Sequence, residues 1–311
     1  MPNFAFLPGV DIRFEGLENL PDEPVVFAMN HTDRYNYWPF QYTLWRKTGR
    51  FTATWVKGKY FEGKVTSAFL EMTNNIPAAS RGYLITRDFV ATMKRPPSDE
   101  EYKTLRHWVD AVSKSRLPGA TANDIRPDGP LPEALLATPR DMMGRPFDPT
   151  REDYAHAIDE LFREMTRLFI DANRRALETG LDVLIFPQGT RSIRLSRGHI
   201  GMAQVALRFK ATIVPVGCNG SDHVYPGASP WGKKGHIVYR FGKPIPYEEL
   251  APYHIPEAFE PFTPEAEAKH RERFQALTDH VMDRINELLD PPYQYSTDLE
   301  SDGVRGSNRF V

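Results

Sequence analysis

Apolar positions follow two rhythms along the chain. Short unbroken runs, "PVVFAM" (24–29), "DVLIF" (182–186) and "TIVPVG" (212–217), have the length of strands buried on both faces. The stretches "FTATW" (51–55) and "HIVYRFGKPI" (236–245) add strands rich in β-branched and aromatic residues. Between them the apolar residues recur at helical spacing. Ile158, Leu161, Phe162, Met165, Leu168, Phe169, Ala172 and Ala176 predict a helix over 152–178, ended by Gly180. Phe274, Leu277, Val281, Ile285 and Leu288 predict another over 264–289. Shorter helices are expected at 37–47, with Pro39 in the first turn and Gly49 as the stop, and at 62–73 and 198–208. "NNIPAASRG" reads as an extended piece reaching Arg81. Strands alternating with helices predict an α/β fold, a mixed and largely parallel sheet flanked by helices.

Residues 95–150 break this alternation. Many of the chain's 27 prolines fall there, and proline disfavours continuous helix in itself and in the residue before it. The segment reads as an insertion or lid over the site, with one short helix near 99–114. The rest of 1–290 reads as a single domain, and 291–311 as a mobile tail.

Composition narrows the function classes. Lys plus Arg number 39 and Asp plus Glu 41, a net charge of -2, which does not announce a nucleic-acid binder. The single cysteine, Cys218, allows no internal disulfide and no multi-cysteine metal site, and suits a reducing compartment. The start of the chain lacks the pattern of a secretory signal, and no apolar run approaches the roughly 18 residues of a membrane span. The expectation is a cytoplasmic protein that reaches lipid from the side, at the inner face of a membrane. Arg46, Lys47, Arg50, Lys57, Lys59 and Lys64 lie among aromatics in "WRKTGRFTATWVKGKYF" (45–61), a pattern suited to anionic headgroups or to an ordinary solvated face.

In an open α/β sheet, ligand groups gather where strands end and helices begin. "MNHTDRYNYWPF" (29–40) places His31 at such a point, with Asp33 and Asn36 close behind. A neutral histidine is a natural base near neutral pH, and it needs a partner to hold its tautomer. The plain alternative is a histidine filling a polar corner. "FPQGTRS" (186–192) supplies Gly189 for close backbone approach, the hydroxyls of Thr190 and Ser192, and Arg191, whose guanidinium suits a phosphate. The other histidines, His107, His156, His199, His223 and His236 among them, have no metal-ligand spacing, and no GxSxG, Walker or dinucleotide glycine motif is present.

These segments, in this order, resemble the glycerolipid acyltransferases, which include glycerol-3-phosphate and lysophosphatidic acid acyltransferases. The carriers of the resemblance are "NH" followed by a polar run, "FPQGTRS", "IVPVG" (213–217) and "RFGKPI" (240–245). It covers about 22–90 and 155–290 and leaves the middle segment unexplained. It implies that His31 takes the proton from an acceptor hydroxyl, which then attacks an acyl thioester of coenzyme A or acyl-carrier protein. It implies that Gly189 and Arg191 bind the acceptor, with Gln188, Thr190 and Ser192 as further candidate contacts of the same segment, and with Arg81 matching a second-motif arginine that helps hold a phosphate. Pro215 matches a structural proline, and neither cofactor nor metal is implied.

Two positions depart from the pattern. The resembled motif has Asp where this chain has Asn36, and Glu where it has Gln188. Asn36 can orient the imidazole without neutralising its positive form, so Asp33 enters as a substitute carboxylate. The expected acceptor is a glycerol-phosphate or lysophospholipid type. A lipid-binding protein of the same fold without turnover, and a thioester hydrolase, are the two competing readings.

Overall fold

The structure is a computed structural model that describes residues 9–117, 129 and 131–301. Its strands are β1 (Val10–Glu15), β2 (Val26–Met29), β3 (Thr52–Lys57), β4 (Ile76–Ala78), β5 (Arg140–Met142), β6 (Arg145–Phe147), β7 (Asp182–Ile185), β8 (Ile213–Asn219) and β9 (Gly235–Phe241). Its α-helices are α1 (Tyr37–Thr48), α2 (Lys64–Met72), α3 (Arg81–Met93), α4 (Asp99–Ser115), α5 (Glu133–Ala137), α6 (Tyr154–Glu178), α7 (Gly201–Phe209), α8 (Ser221–Val224) and α9 (Pro264–Glu287).

Seven strands form one sheet in the order β1-β9-β8-β2-β7-β3-β4. The β8–β9 pair is antiparallel and the other pairs are parallel, so the fold is α/β with a mixed, mostly parallel sheet. The central strands β2 and β7 are buried at every position, as expected of strands covered on both faces. Two hydrophobic clusters sandwich this sheet. Val26, Val183 and Ile185 face α7 and α9 through Ala203, Phe274, Leu277 and Val281. Phe27, Leu184 and Val214 face α1 through Phe40 and Leu44.

β7 opens on Asp182, which is fully buried. Its Oδ1 accepts the Val25 N–H at 2.9 Å, and Arg50 donates to both carboxylate oxygens, through Nε to Oδ2 at 2.9 Å and through Nη2 to Oδ1. Burial pushes the Asp182 pKa up, and the Arg50 bonds pull against it. A buried carboxylate that loses its partner is strongly destabilising. Arg50 is itself partly solvated, which reduces the effect. Arg50→Ala is expected to cost about 2–3 kcal/mol, read as a lower urea midpoint with unchanged slope.

Local signals explain the long helices. The Asp153 carboxylate accepts the His156 N–H and starts α6, and Thr263 caps α9 just before Pro264. Gly49, at φ 75°, closes α1 in the left-handed conformation. The elements that were not expected include β1 and α3. β1 alternates Val10, Ile12 and Phe14 with Asp11, Arg13 and Glu15, and adds an edge strand beside β9. The extended reading of 74–82 holds only for β4. Ser80 then accepts the Tyr83 N–H at 3.2 Å and starts α3, with Leu84, Ile85 and Phe89 buried.

The described residues of 95–150 do not line the site as a lid would. They hold a long helix, α4, capped by Ser98 and Glu101, together with α5 and the β5–β6 hairpin. Leu105, Trp108, Val109, Leu135 and Phe147 pack onto α3 and the first half of α6, making a third hydrophobic cluster. Residues 118–128 and 130 of this segment lie outside the described residues.

The tail reading is corrected as well. Residues 291–301 run back over the loop after β7. Leu195 N–H donates to Tyr293 O at 2.9 Å, Ser296 N–H to Leu195 O at 2.9 Å, and Arg197 N–H to Leu299 O at 2.9 Å. Tyr293 is buried and donates to Asp222. Residues 302–311, part of the same expectation, are outside the described residues.

Candidate active site

Adjacent parallel strands β2 and β7 release their loops side by side, at the carboxyl edge where α/β sheets bind ligands. The two loops clamp each other at His31. The Gln188 side-chain oxygen accepts the His31 N–H at 3.0 Å, and the Ser192 N–H donates to the His31 carbonyl at 2.8 Å. One residue earlier, the Asn30 amide bridges to β8, donating to Cys218 O at 2.9 Å and accepting from Cys218 N at 2.7 Å. Both backbone groups of His31 are thereby fixed before any ligand arrives. Its ring stacks on Phe186, with centroids 4.1 Å apart and planes at 20°.

Asn36 sets the tautomer. Its amide NH₂ donates to the Asn30 carbonyl at 2.9 Å, which turns Oδ1 toward His31 Nδ1 at 3.1 Å. A carbonyl oxygen only accepts, so Nδ1 carries the hydrogen and Nε2 keeps its lone pair. Desolvation lowers the His31 pKa to about 3, the Asn36 bond raises it, and the positive charges of Arg191 and Lys57 lower it further. The imidazole is therefore neutral across the physiological range, in the protonation state of a base.

Asp33 is not a substitute partner. Its Oδ1 accepts the Tyr35 N–H at 2.8 Å and its Oδ2 the Thr32 hydroxyl at 3.0 Å. The carboxylate closes a turn on its own backbone, the ordinary habit of Asp in such turns, and no hydrogen bond joins it to the imidazole. Burial pushes its pKa up.

Gln188 braces the loop. Besides holding His31, its amide NH₂ donates to Arg194 O at 3.3 Å and to Ser196 Oγ at 3.2 Å. A carboxylate has no hydrogen to give the Arg194 carbonyl, which favours Gln at this position. Gln188 and Ser192 are buried and stand behind the cleft wall, so the expected substrate contacts from these two side chains are replaced by positioning roles. Gly189 adopts φ 66°, and a Cβ there would stand 2.8 Å from the His199 ring. Gly189, Thr190 and Arg191 do line the cleft, with the Thr190 hydroxyl 3.1 Å from that of Ser301.

Arg81 lies elsewhere. At the start of α3 its guanidinium donates to Ser113 Oγ at 2.6 Å, stands 3.6 Å from Asp159 and 3.8 Å from Asp110, and packs 4.3 Å over Phe162. It is held by α4 and α6 and does not line the cleft, so its expected phosphate contact is corrected to a structural ion pair.

The cleft encloses about 940 Å³. Tyr37, Trp38, Trp55, Phe69 and Leu70 give it an apolar wall, and Arg34, Lys57 and Lys59 add to the positive charge of Arg191. Lys57 and Lys59 belong to the basic stretch apparent in the sequence. Arg34 sits within the quoted first segment, but nothing in its spacing singled it out. Among the described residues no group of three or more His, Cys, Asp or Glu side chains is placed to hold a metal ion, and no helix is long and apolar enough to cross a membrane.

No protein-family model matches the chain, and no curated protein matches it. Among solved structures it is similar to the 1-acyl-sn-glycerophosphate (LPA) acyltransferase PlsC from Thermotoga maritima. The identity is 12%, over 88% of this chain and 72% of that one, with a TM-score of 0.40. A likeness of this size leaves the chemistry to be argued from the side chains themselves.

Proposed function

We propose that the protein is an acyltransferase that moves a fatty acyl group from a thioester to a hydroxyl of an anionic, glycerol-phosphate or lysophospholipid type acceptor. One observation carries this reading: a neutral histidine with Nδ1 committed to Asn36 lines a cleft that is apolar on one wall and cationic on another. The apolar wall suits an acyl chain and the cations suit a phosphate.

The steps follow from that arrangement. His31 Nε2 accepts the proton of the acceptor hydroxyl as its oxygen attacks the thioester carbonyl carbon. The tetrahedral intermediate collapses, the C–S bond breaks, and the leaving sulfur takes the proton back from Nε2. Throughout, Nδ1–H remains with Asn36. A base with so low a pKa is weak, and the acceptor offsets part of this. Its negative charge, placed beside Arg191 and Lys57, cancels their share of the lowering, which is smaller than that of desolvation. The donor is a thioester of coenzyme A or acyl-carrier protein, and its activated carbonyl requires no cofactor in this scheme.

A second reading is favoured by Asn36 itself. With no carboxylate to stabilise an imidazolium, the cleft would hold a lipid without turning it over. Incubation with palmitoyl-CoA and a panel of phosphorylated and neutral acceptors, followed by mass analysis of the extracted lipids, separates the two. Acceptors heavier by one palmitoyl group support the transferase. Free palmitate alone indicates a hydrolase, and unchanged substrates a binding protein.

The reading includes a membrane-facing element. α2 leaves Val65 and Met72 exposed (86% and 82%), with Phe69 half exposed beside the cleft mouth, and Lys59 and Lys64 flank it. Exposed apolar side chains near lysines fit an anionic bilayer surface. Val65→Asp with Met72→Asp is expected to weaken binding to phosphatidylglycerol vesicles about tenfold or more in a sedimentation assay, with little change in turnover of a water-soluble acceptor.

A further inference from the structure

We propose that Arg34 and Arg191 form a subsite for a phosphate-ester dianion within the cleft, with Arg34 as its inner arm. The observation is an arginine out of keeping with the rest. Arg34 Nε is shut off from solvent and has no hydrogen-bond partner among the described residues, although the side chain lines the same cleft as His31. Arginine stays charged at any ordinary pH, so burying part of it without an acceptor is unfavourable unless a ligand supplies one.

Arg81 Nε and Arg163 Nη2 also lack a hydrogen bond, but the other enclosed arginines each pair with a carboxylate within the protein. Arg50 binds Asp182, Arg140 binds Asp88 in bidentate fashion, and Arg81 lies against Asp159. Arg34 does not, even though two carboxylates share its cleft. Asp33 is committed to Thr32 and to the Tyr35 N–H, and Asp222 accepts from the Tyr293 hydroxyl. Arg191 likewise forms no ion pair among the described residues. Four cations, Arg34, Lys57, Lys59 and Arg191, line the cleft against the two carboxylates. Two planar guanidiniums match the tetrahedral, multiply accepting oxygens of a phosphate monoester.

The subsite stands on these groups alone. Only the assignment of its occupant to a substrate rests on the acyl-transfer reading, because both the acceptor and the coenzyme A donor carry phosphate. Titration calorimetry with sn-glycerol 3-phosphate and separately with coenzyme A, on the wild type, Arg34→Gln and Arg34→Lys, decides both points. The expected result is a loss of about 10- to 100-fold in affinity in Arg34→Gln for one probe, and a smaller loss in Arg34→Lys, which keeps a charge without the fork. A loss confined to sn-glycerol 3-phosphate assigns the subsite to the acceptor, and a loss confined to coenzyme A to the donor. Equal affinities for both probes in wild type and both variants, with thermal melting showing all three folded, would overturn the proposal, as would a wild type that binds neither. Loss of binding in Arg34→Gln with no acyl transfer to any acceptor leaves the subsite standing and removes the catalytic reading instead.

Discussion

His31→Ala is expected to lower kcat/KM for acyl transfer about 10²- to 10⁴-fold, the range a positioned general base contributes. The fold should survive it. Residue 31 is held by its backbone, through Gln188 on one side and Ser192 on the other, and those bonds do not need the imidazole. What disappears is the group with a free lone pair at Nε2 and the ring stacked on Phe186. Loss of the stack costs about 1 kcal/mol, a few degrees of melting temperature at most. Steady-state kinetics on a variant shown by melting to be folded check the result. Affinity for the acceptor should change little, so the loss falls on kcat.

The second large effect concerns Asn36. In the wild type, the neutral form of His31 persists down to a pKa of about 3, so kcat/KM is expected to show no acid limb between pH 5 and 8. Asn36→Asp places a negative charge against Nδ1–H. The imidazolium is then stabilised and the folded-state pKa rises. Since neutral imidazole is the active form, activity is lost as pH falls through that raised pKa, and an acid limb should appear within pH 5–7. On the plateau above it the base is stronger, and the rate should increase about 10- to 30-fold by Brønsted behaviour. The substitution has a structural cost. The Asn36 NH₂ now donates to the Asn30 carbonyl, and a carboxylate oxygen would meet that carbonyl with no hydrogen between them. A destabilisation of about 1–3 kcal/mol is expected. Rate profiles across pH, with melting curves alongside, test both halves. A pH profile unchanged from the wild type in Asn36→Asp would remove Asn36 from its orienting role.

The same bond explains why the departure from Asp is tolerated here. Asn30 bridges to Cys218 through its side chain and offers its own carbonyl inward, and only an amide at 36 can satisfy that carbonyl and His31 together. Gln188 follows the same logic with the Arg194 carbonyl. Both residues break the expected charge pattern because neighbouring acceptors demand hydrogens, which no reading of residue spacing reveals.

Where the sequence was legible, burial made it so. β2, β7 and β8 are enclosed on both faces, so their apolar runs are unbroken, and α6 carries a helical period across two hydrophobic clusters. The loops that follow such strands were the natural places to look, and His31, Gly189 and Arg191 do meet in one cleft. Side-chain direction was not legible. Asp33 is closer in sequence to His31 than Asn36 is, yet a tight turn consumes its carboxylate. Arg81 has its fate set by Asp110 and Asp159 on helices that follow it, and the second of these is 78 positions away by numbering (159 minus 81). The prolines of 95–150 suggested a loose cover, whereas Leu105, Trp108 and Phe147 give that segment a core of its own.

The reading of the cleft turns most directly on release of free thiol from palmitoyl-CoA by the wild type, followed with and without sn-glycerol 3-phosphate. The expected result is release that depends on the acceptor, saturates with it, and is accompanied by one acylated acceptor per thiol. Release at the same rate without any acceptor, or none with coenzyme A or acyl-carrier-protein thioesters across the full acceptor panel, would contradict acyl transfer as the chemistry of His31.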